Sequence, residues 1–284
     1  MGGQPALHTL QINLEAPQAR LQRSLQRAID LVAFGLTAGA AAPEGQVRMP
    51  GPAMQFATAQ NYAMSFAQAK EEFELWVLQS GFRDAVEGMQ DFLEEARVVC
   101  AALALGPQIK VLAGWTPPFT RESAEGQRFH WLGLEKKLAV LKDQYDVAPG
   151  PELRTAVEEI NQARHCLVHR GGVVGEPDLN HPEGLRISWR RLEFIVQDAK
   201  TGAQRPLVLN QRIEAESILA LRIGLSARLF GLGERLSVTQ EEFIGVCFTL
   251  LSVGQDLSAS VLQYAQRTGV PPASTSGTER KAEE

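Results

Sequence analysis

Apolar residues return every three or four positions over most of this chain and every second position in a few short stretches. The first alternating stretch is 7–14, where Leu10, Ile12 and Leu14 are separated by polar residues, so a short strand is expected there. After Pro17, the residues Leu21, Leu25, Ile29, Val32 and Leu36 fall on one side of a helix, with Arg20, Arg23 and Arg27 off that side. The stretch 39–52 is rich in Ala, Gly and Pro and reads as a linker. Phe66, Phe73, Trp76 and Val77 lie on a long helix expected over 56–79. Gly81 is expected to break it, with a second helix over 82–105 running back against the first. A loop over 114–126 holds Trp115, Pro117, Pro118 and Phe119, as cover for the helices or as a lid. One further helix is expected to bear Phe129, Leu132, Leu134, Leu138 and Leu141.

The next helix has marked ends. Pro151 suits a first helical position, where its missing N–H would be unpaired anyway, and Gly171-Gly172 can take the left-handed conformation that closes a helix. Leu153, Val157, Ile160 and Leu167 form its apolar stripe, and Arg164 falls in the middle of that stripe. A guanidinium there is costly to bury without partners. Glu158, Gln162, His165 and His169 share another side, with His169 in the last turn, where the helix end favours cations.

Beyond the helix the period changes. Leu185, Ile187 and Trp189, then Leu192, Phe194 and Val196, alternate with polar residues, and Leu207-Val208-Leu209 follows. Two or three antiparallel strands are expected over 184–210, with Trp189 as their buried anchor. Ile218, Leu221, Leu225 and Leu229 recur at helical spacing and predict a helix over 213–236. Thr239-Gln240-Glu241-Glu242 is a capping box for a final, broadly apolar helix, and the residues after 269 are too polar to fold. The reading is mainly α. It divides the chain into an N-terminal helix with linker (1–52), a helical domain with a β insertion (53–236), a C-terminal packing helix (237–268) and a disordered tail (269–284).

Composition changes this picture little. The 284 residues carry a net charge of −5, so no global basic field advertises nucleic acid, although a nuclease can gather its positive charge in one cleft. The three cysteines, Cys100, Cys166 and Cys247, are odd in number, far apart and set among apolar residues, which favours free thiols in a reducing cytoplasm. The apolar run 243–253 is too short to span a membrane, and the first residues lack the charge and apolar core of a signal peptide. A cytoplasmic protein with no membrane partner is expected.

Arg164-His165-Cys166-Leu167-Val168-His169 resembles the Arg-polar-x-x-x-His signature of the HEPN superfamily, helical proteins that include many metal-independent endoribonucleases. Arg170-Gly171-Gly172-Val173-Val174 is similar to the continuation of that motif in several prokaryotic members, and the resemblance covers 56–236. It implies a HEPN-like helical bundle with a small antiparallel β insertion after the motif helix. It also implies a homodimer with paired motifs, RNA as substrate, and a toxin–antitoxin or antiviral defence setting with an antitoxin or regulatory protein as partner. Cleavage of RNA needs a base for the ribose 2′-hydroxyl, an acid for the leaving oxygen and positive charge for the phosphorane. His titrates near neutrality and Arg offers permanent planar donors. His169 is therefore assigned acid–base work, Arg164 phosphate stabilisation and His165 an assisting role. Arg170, Lys136, Lys137 and Arg190 are candidates for RNA contact. No metal or other cofactor is expected.

On a regular helix Arg164 and His169 stand roughly 140° apart, so one chain cannot present both to one phosphate without distortion or a second copy. Other readings stay open. Arg164 could be structural, paired with Glu158 or with a Glu of another helix, leaving both His residues as exposed helix-end cations. His165 and His169 are spaced to share a metal ion, with Cys166 adjacent but on another side. A catalytically silent module that binds nucleic acid, nucleotide or protein is the alternative from a different class.

Overall fold

Leu21, Leu25, Ala28 and Val32 are the buried stripe of the first helix in the computed structural model, α1 (Ala16–Ala41). The structure describes residues 7–9, 12–44, 64–106, 110–112, 119–207 and 216–269. The expected 39–52 linker beyond Glu44, the lid candidates Trp115, Pro117 and Pro118, and the polar tail from residue 270 lie outside these. Among the described residues the chain is mainly helical, with six helices and a small three-stranded antiparallel sheet.

The second helix, α2 (Phe66–Ala104), is one continuous element, where a helical pair broken at Gly81 was expected. Gly81 serves close packing instead. A Cβ added there would stand 2.2 Å from a Val32 methyl and 3.1 Å from the Phe243 ring, so glycine lets neighbouring helices touch the backbone. The single helix expected around 129–141 is likewise two: α3 (Ala124–His130), capped by the Ser123 hydroxyl, and α4 (Leu134–Tyr145). Gly133, in extended conformation, separates them.

The chain forms two compact units. One comprises 1–20, 90–149 and 254–284. In it β1 (Leu7–Thr9) pairs antiparallel with β2 (Lys110–Leu112), within the stretch where a first strand was expected. The second half of α2 buries Phe92, Leu93, Val99 and Cys100 there. The other unit comprises 21–89 and 150–253 and holds α5 (Pro151–His169) with the larger sheet. The helix α5 runs between the predicted ends, with Pro151 in its first turn.

In that sheet β3 (Leu185–Asp198) pairs along its whole length with β5 (Ser217–Phe230), while β4 (Gln204–Pro206) borders β3 on the other side. The helix predicted over 213–236 is thus overturned from Ser217 onward. Leu219, Leu221, Ile223 and Leu225 alternate as well as they recur helically, and fourteen paired positions on β3 decide for the strand. Trp189 anchors the sheet as expected: it is buried, with its indole against Gly245 of α6 (Gln240–Arg267). The Thr239–Glu242 capping box is formed, each residue's N–H meeting the other's side-chain oxygen at 2.8 and 3.2 Å.

Helix α6 is longer than the apolar run in the sequence suggests. Its 28 residues include a window of mean hydropathy 1.4, long and apolar enough to cross a membrane, but 56% of that window is buried inside the fold. A helix packed into a protein core passes the same test of length and composition. All three cysteines are free and buried, and burial pushes the Cys100 and Cys247 thiols up to about 12.

Candidate functional site

The end of α5 is built by its Gly-Gly exit. The N–H groups of Arg170 and Gly172 both donate to the Cys166 carbonyl, at 3.0 and 3.1 Å, and Gly171 and Gly172 have φ of +60° and +81°. The chain then reverses: Leu236 N–H donates to Gly172 O at 2.7 Å and Val174 N–H to Glu234 O at 2.9 Å. This fixes the last turn of α5 and with it the side chains of the Arg-His motif.

His165 and His169 stack one turn apart, ring centroids 5.7 Å from each other and planes 15° apart. His169 is exposed and His165 half-buried. Burial, followed by the nearby charges of Arg164, His169 and Arg170, holds the His165 imidazole below its ordinary pKa, so it tends to the neutral form. Beside them Gln162 donates to the Pro177 carbonyl at 2.7 Å.

Arg164 does not share this face. Its guanidinium is ion-paired with Glu87 of α2, where the side chains are 18% and 52% exposed. Its Nε is buried without a hydrogen-bond partner, as is Oδ1 of Asn161 one turn earlier. Glu158, the local partner weighed from the sequence, bonds Arg154 instead, at 2.9 Å.

Arg170 is also engaged. Its fork grips the fully buried carboxylate of Asp178, which accepts from the Gly175 N–H at 2.9 Å as well. Burial pushes the Asp178 carboxyl up, but Arg170 and Gly175 outweigh it and leave it below the usual carboxylate range. The Cys166 thiol bonds the same carboxylate and is raised to about 11, by burial first and then by Asp178. Cys166 therefore faces inward. Among the described residues no three His, Cys, Asp or Glu side chains gather as metal ligands.

The remaining candidates are dispersed. Arg190 lies on β3, its backbone N–H bonded to the Thr249 hydroxyl at 2.7 Å. Lys136 is exposed, and both Lys136 and Lys137 belong to the other compact unit. Lys137, expected at the surface as an RNA contact, is 1% exposed and donates to Glu94 at 2.9 Å. His130 and Arg121 meet the same carboxylate at 2.8 and 3.1 Å. Burial raises Glu94, yet Lys137, His130 and Arg121 together hold it below its ordinary value. This cluster and the acids Glu87 and Asp178 escaped the sequence reading. Only Asp178, shortly after the Gly-Gly exit, stood close enough in the chain to be weighed against the motif.

In comparisons with known proteins, no family model, no curated protein and no solved structure matches this chain.

Proposed function

We propose that this chain is a metal-independent endoribonuclease of HEPN type and that His165 and His169 are its acid–base pair. The observation that supports it best is the stacked pair of imidazoles at the outer end of α5, one of them biased to the neutral form. A neutral imidazole accepts the proton of a ribose 2′-hydroxyl as that oxygen attacks the adjacent phosphorus. A protonated neighbour delivers a proton to the departing 5′-oxygen. The products are a 2′,3′-cyclic phosphate and a 5′-hydroxyl end.

The phosphorane needs positive charge. Because Arg164 does not share the imidazoles' face, the Arg164 of a second copy supplies it in this reading, once Glu87 is displaced, an exchange that the half-exposed Glu87 permits. RNA is the substrate and a second copy of the chain a partner. The setting is cytoplasmic, in toxin–antitoxin or antiviral defence, with an antitoxin or regulatory protein as the further partner.

The pairing of Arg164 with Glu87 and of Arg170 with Asp178 favours a second reading, a catalytically silent HEPN-like module that binds nucleic acid, nucleotide or protein. Incubating mixed RNA with wild type, His165→Ala and His169→Ala in EDTA separates the two. The nuclease reading expects cyclic-phosphate ends from wild type and a loss of about 10²–10⁴-fold in each variant. Equal cleavage by all three proteins, or cleavage that EDTA abolishes, overturns it.

A further inference from the structure

Two contacts set α2 against α5. At one, the Gln79 side chain donates to the Leu236 carbonyl at 3.1 Å, and a Cβ added to Gly172 would stand 3.2 Å from its Nε2. At the other, Arg164 is ion-paired with Glu87. The chain runs forward from 79 to 87 on α2 and backward from 172 to 164 beside it, so the two segments are antiparallel. Arg83 stands midway, four residues from each anchor. Residues four apart share one side of a helix, so Arg83 is turned with Gln79 and Glu87 toward the last turns of α5, which hold His165 and His169.

Arg83 differs from the other arginines about this helix end. Arg164 has Glu87, Arg170 has Asp178, and Arg235 bonds both oxygens of Glu72 at 2.7 Å. Among the described residues Arg83 has no carboxylate at ion-pair distance, and its Nη2 donates to the Ser80 hydroxyl at 3.0 Å. A hydroxyl leaves the charge of the guanidinium unopposed, and most of its five N–H donors remain for an anion. Glu87, the acid on the same side of α2, is occupied by Arg164.

The ground between Arg83 and the imidazoles is open. Around α5, Val168 falls between Arg164 and the two histidines, and it is 41% exposed. On α2, Phe82, Ala85 and Val86 are buried while Asp84 and Glu87 are exposed, so the half-buried Arg83 sits where core gives way to solvent. A phosphate over Val168 can meet a guanidinium from one helix and an imidazole from the other.

We propose that Arg83 is a phosphate-binding residue of the imidazole site, holding a backbone phosphodiester of RNA over Val168 on the same chain as His165 and His169. The choice of RNA rests on the nuclease reading above. Arg83 anchors the strand at a phosphate flanking the scissile one, whose developing charge is met by Arg164 of the second copy. Its loss therefore falls on KM and not on kcat.

An RNA oligonucleotide with 2′-O-methyl groups throughout tests this, since it offers the phosphates but lacks the nucleophile for cleavage. By fluorescence anisotropy Arg83→Gln should bind it about tenfold more weakly than wild type. The salt slope should fall by about 0.7, the share of one phosphate contact on a single strand. Arg83→Lys, which keeps the charge but not the planar fork, should lie between. Arg27→Gln, at an exposed site on α1, should match wild type. In the wild type itself the oligonucleotide should move the Arg83 Nε–H resonance together with the rings of His165 and His169, a measurement that needs no variant. On cleavable RNA, Arg83→Gln should raise KM and leave kcat within about twofold.

Equal affinity and slope in Arg83→Gln and wild type, or an equal loss in Arg27→Gln, would overturn the inference. So would a lowered kcat at unchanged KM, resonances that stay in place, or a wild type that does not bind the oligonucleotide. A wild type that binds through Arg83 yet leaves 2′-hydroxyl RNA intact overturns the nuclease reading alone.

Discussion

Arg164 of α5 is ion-paired with Glu87 of α2, a residue 77 positions away in the chain. A guanidinium in the apolar stripe of its helix thus finds its counter-charge inside its own chain. Replacing Glu87 by Gln frees Arg164 for phosphate. Because Glu87 is half-exposed, the stability cost is expected to stay within about 1 kcal/mol. If Arg164 serves the nuclease reaction, RNA cleavage by Glu87→Gln rises several-fold and cleavage by Arg164→Ala falls. Unchanged rates in both variants would make Arg164 purely structural, and a gel assay on labelled RNA reads either outcome.

The Arg170–Asp178 pair is a stability element. Arg170→Ala leaves a buried carboxylate without its cation and is expected to cost about 3–5 kcal/mol in urea unfolding. Asp178→Asn should cost less, since its side-chain oxygen can still accept from Gly175. The folded pKa of Asp178 lies below the unfolded value, so its contribution is full above about pH 4. It is lost as pH falls through the folded value. Wild type should therefore lose stability in acid more steeply than Asp178→Asn.

Gly245 faces the Trp189 indole so closely that a Cβ would lie 2.2 Å from Cδ1. Gly245→Ala gains about 1 kcal/mol of helix propensity but forces the ring or the helix to move, an overpacking cost of about 1–3 kcal/mol. A net loss of stability with an altered near-ultraviolet circular dichroism signal is expected. A more stable variant would mean that the sheet and α6 are less tightly joined than described.

His165 should titrate below an ordinary histidine, and proton NMR of its ring resonances can follow it. After burial, Arg164 is the largest of the charges that lower it, so Arg164→Gln should move the titration upward. The unfolded chain binds this proton more tightly than the folded one. Stability from neutral His165 is therefore present above about pH 6.5 and is lost as pH falls from there toward the folded value.

Local signals predicted local structure well. Pro151 with Gly171-Gly172 bounded α5, and Thr239 with Glu242 capped α6, because such devices act within a few residues. Where a partner distant in sequence decides, local pattern misleads. Gly81 has the residue type of a helix breaker but takes Val32 and Phe243 against its backbone, and 217–230 fits both periods until β3 lies alongside. The two imidazoles of the candidate site were legible from their spacing. The acids that neutralise Arg164 and Arg170 were not, since no periodicity links Glu87 or Asp178 to the motif.

The hydrogen bond from Leu236 to Gly172 makes a neck. The chain departs at the end of α5, makes its whole excursion through the sheet, and returns to the point it left. Closure entropy grows only slowly with the length of such a loop. Trimming the ribbon back to the Arg191–Gly224 pairing, or lengthening it, would thus change how far this arm reaches while leaving both imidazoles on the same turn. The arm can be remodelled, or exchanged for another, independently of the helix that carries the two imidazoles.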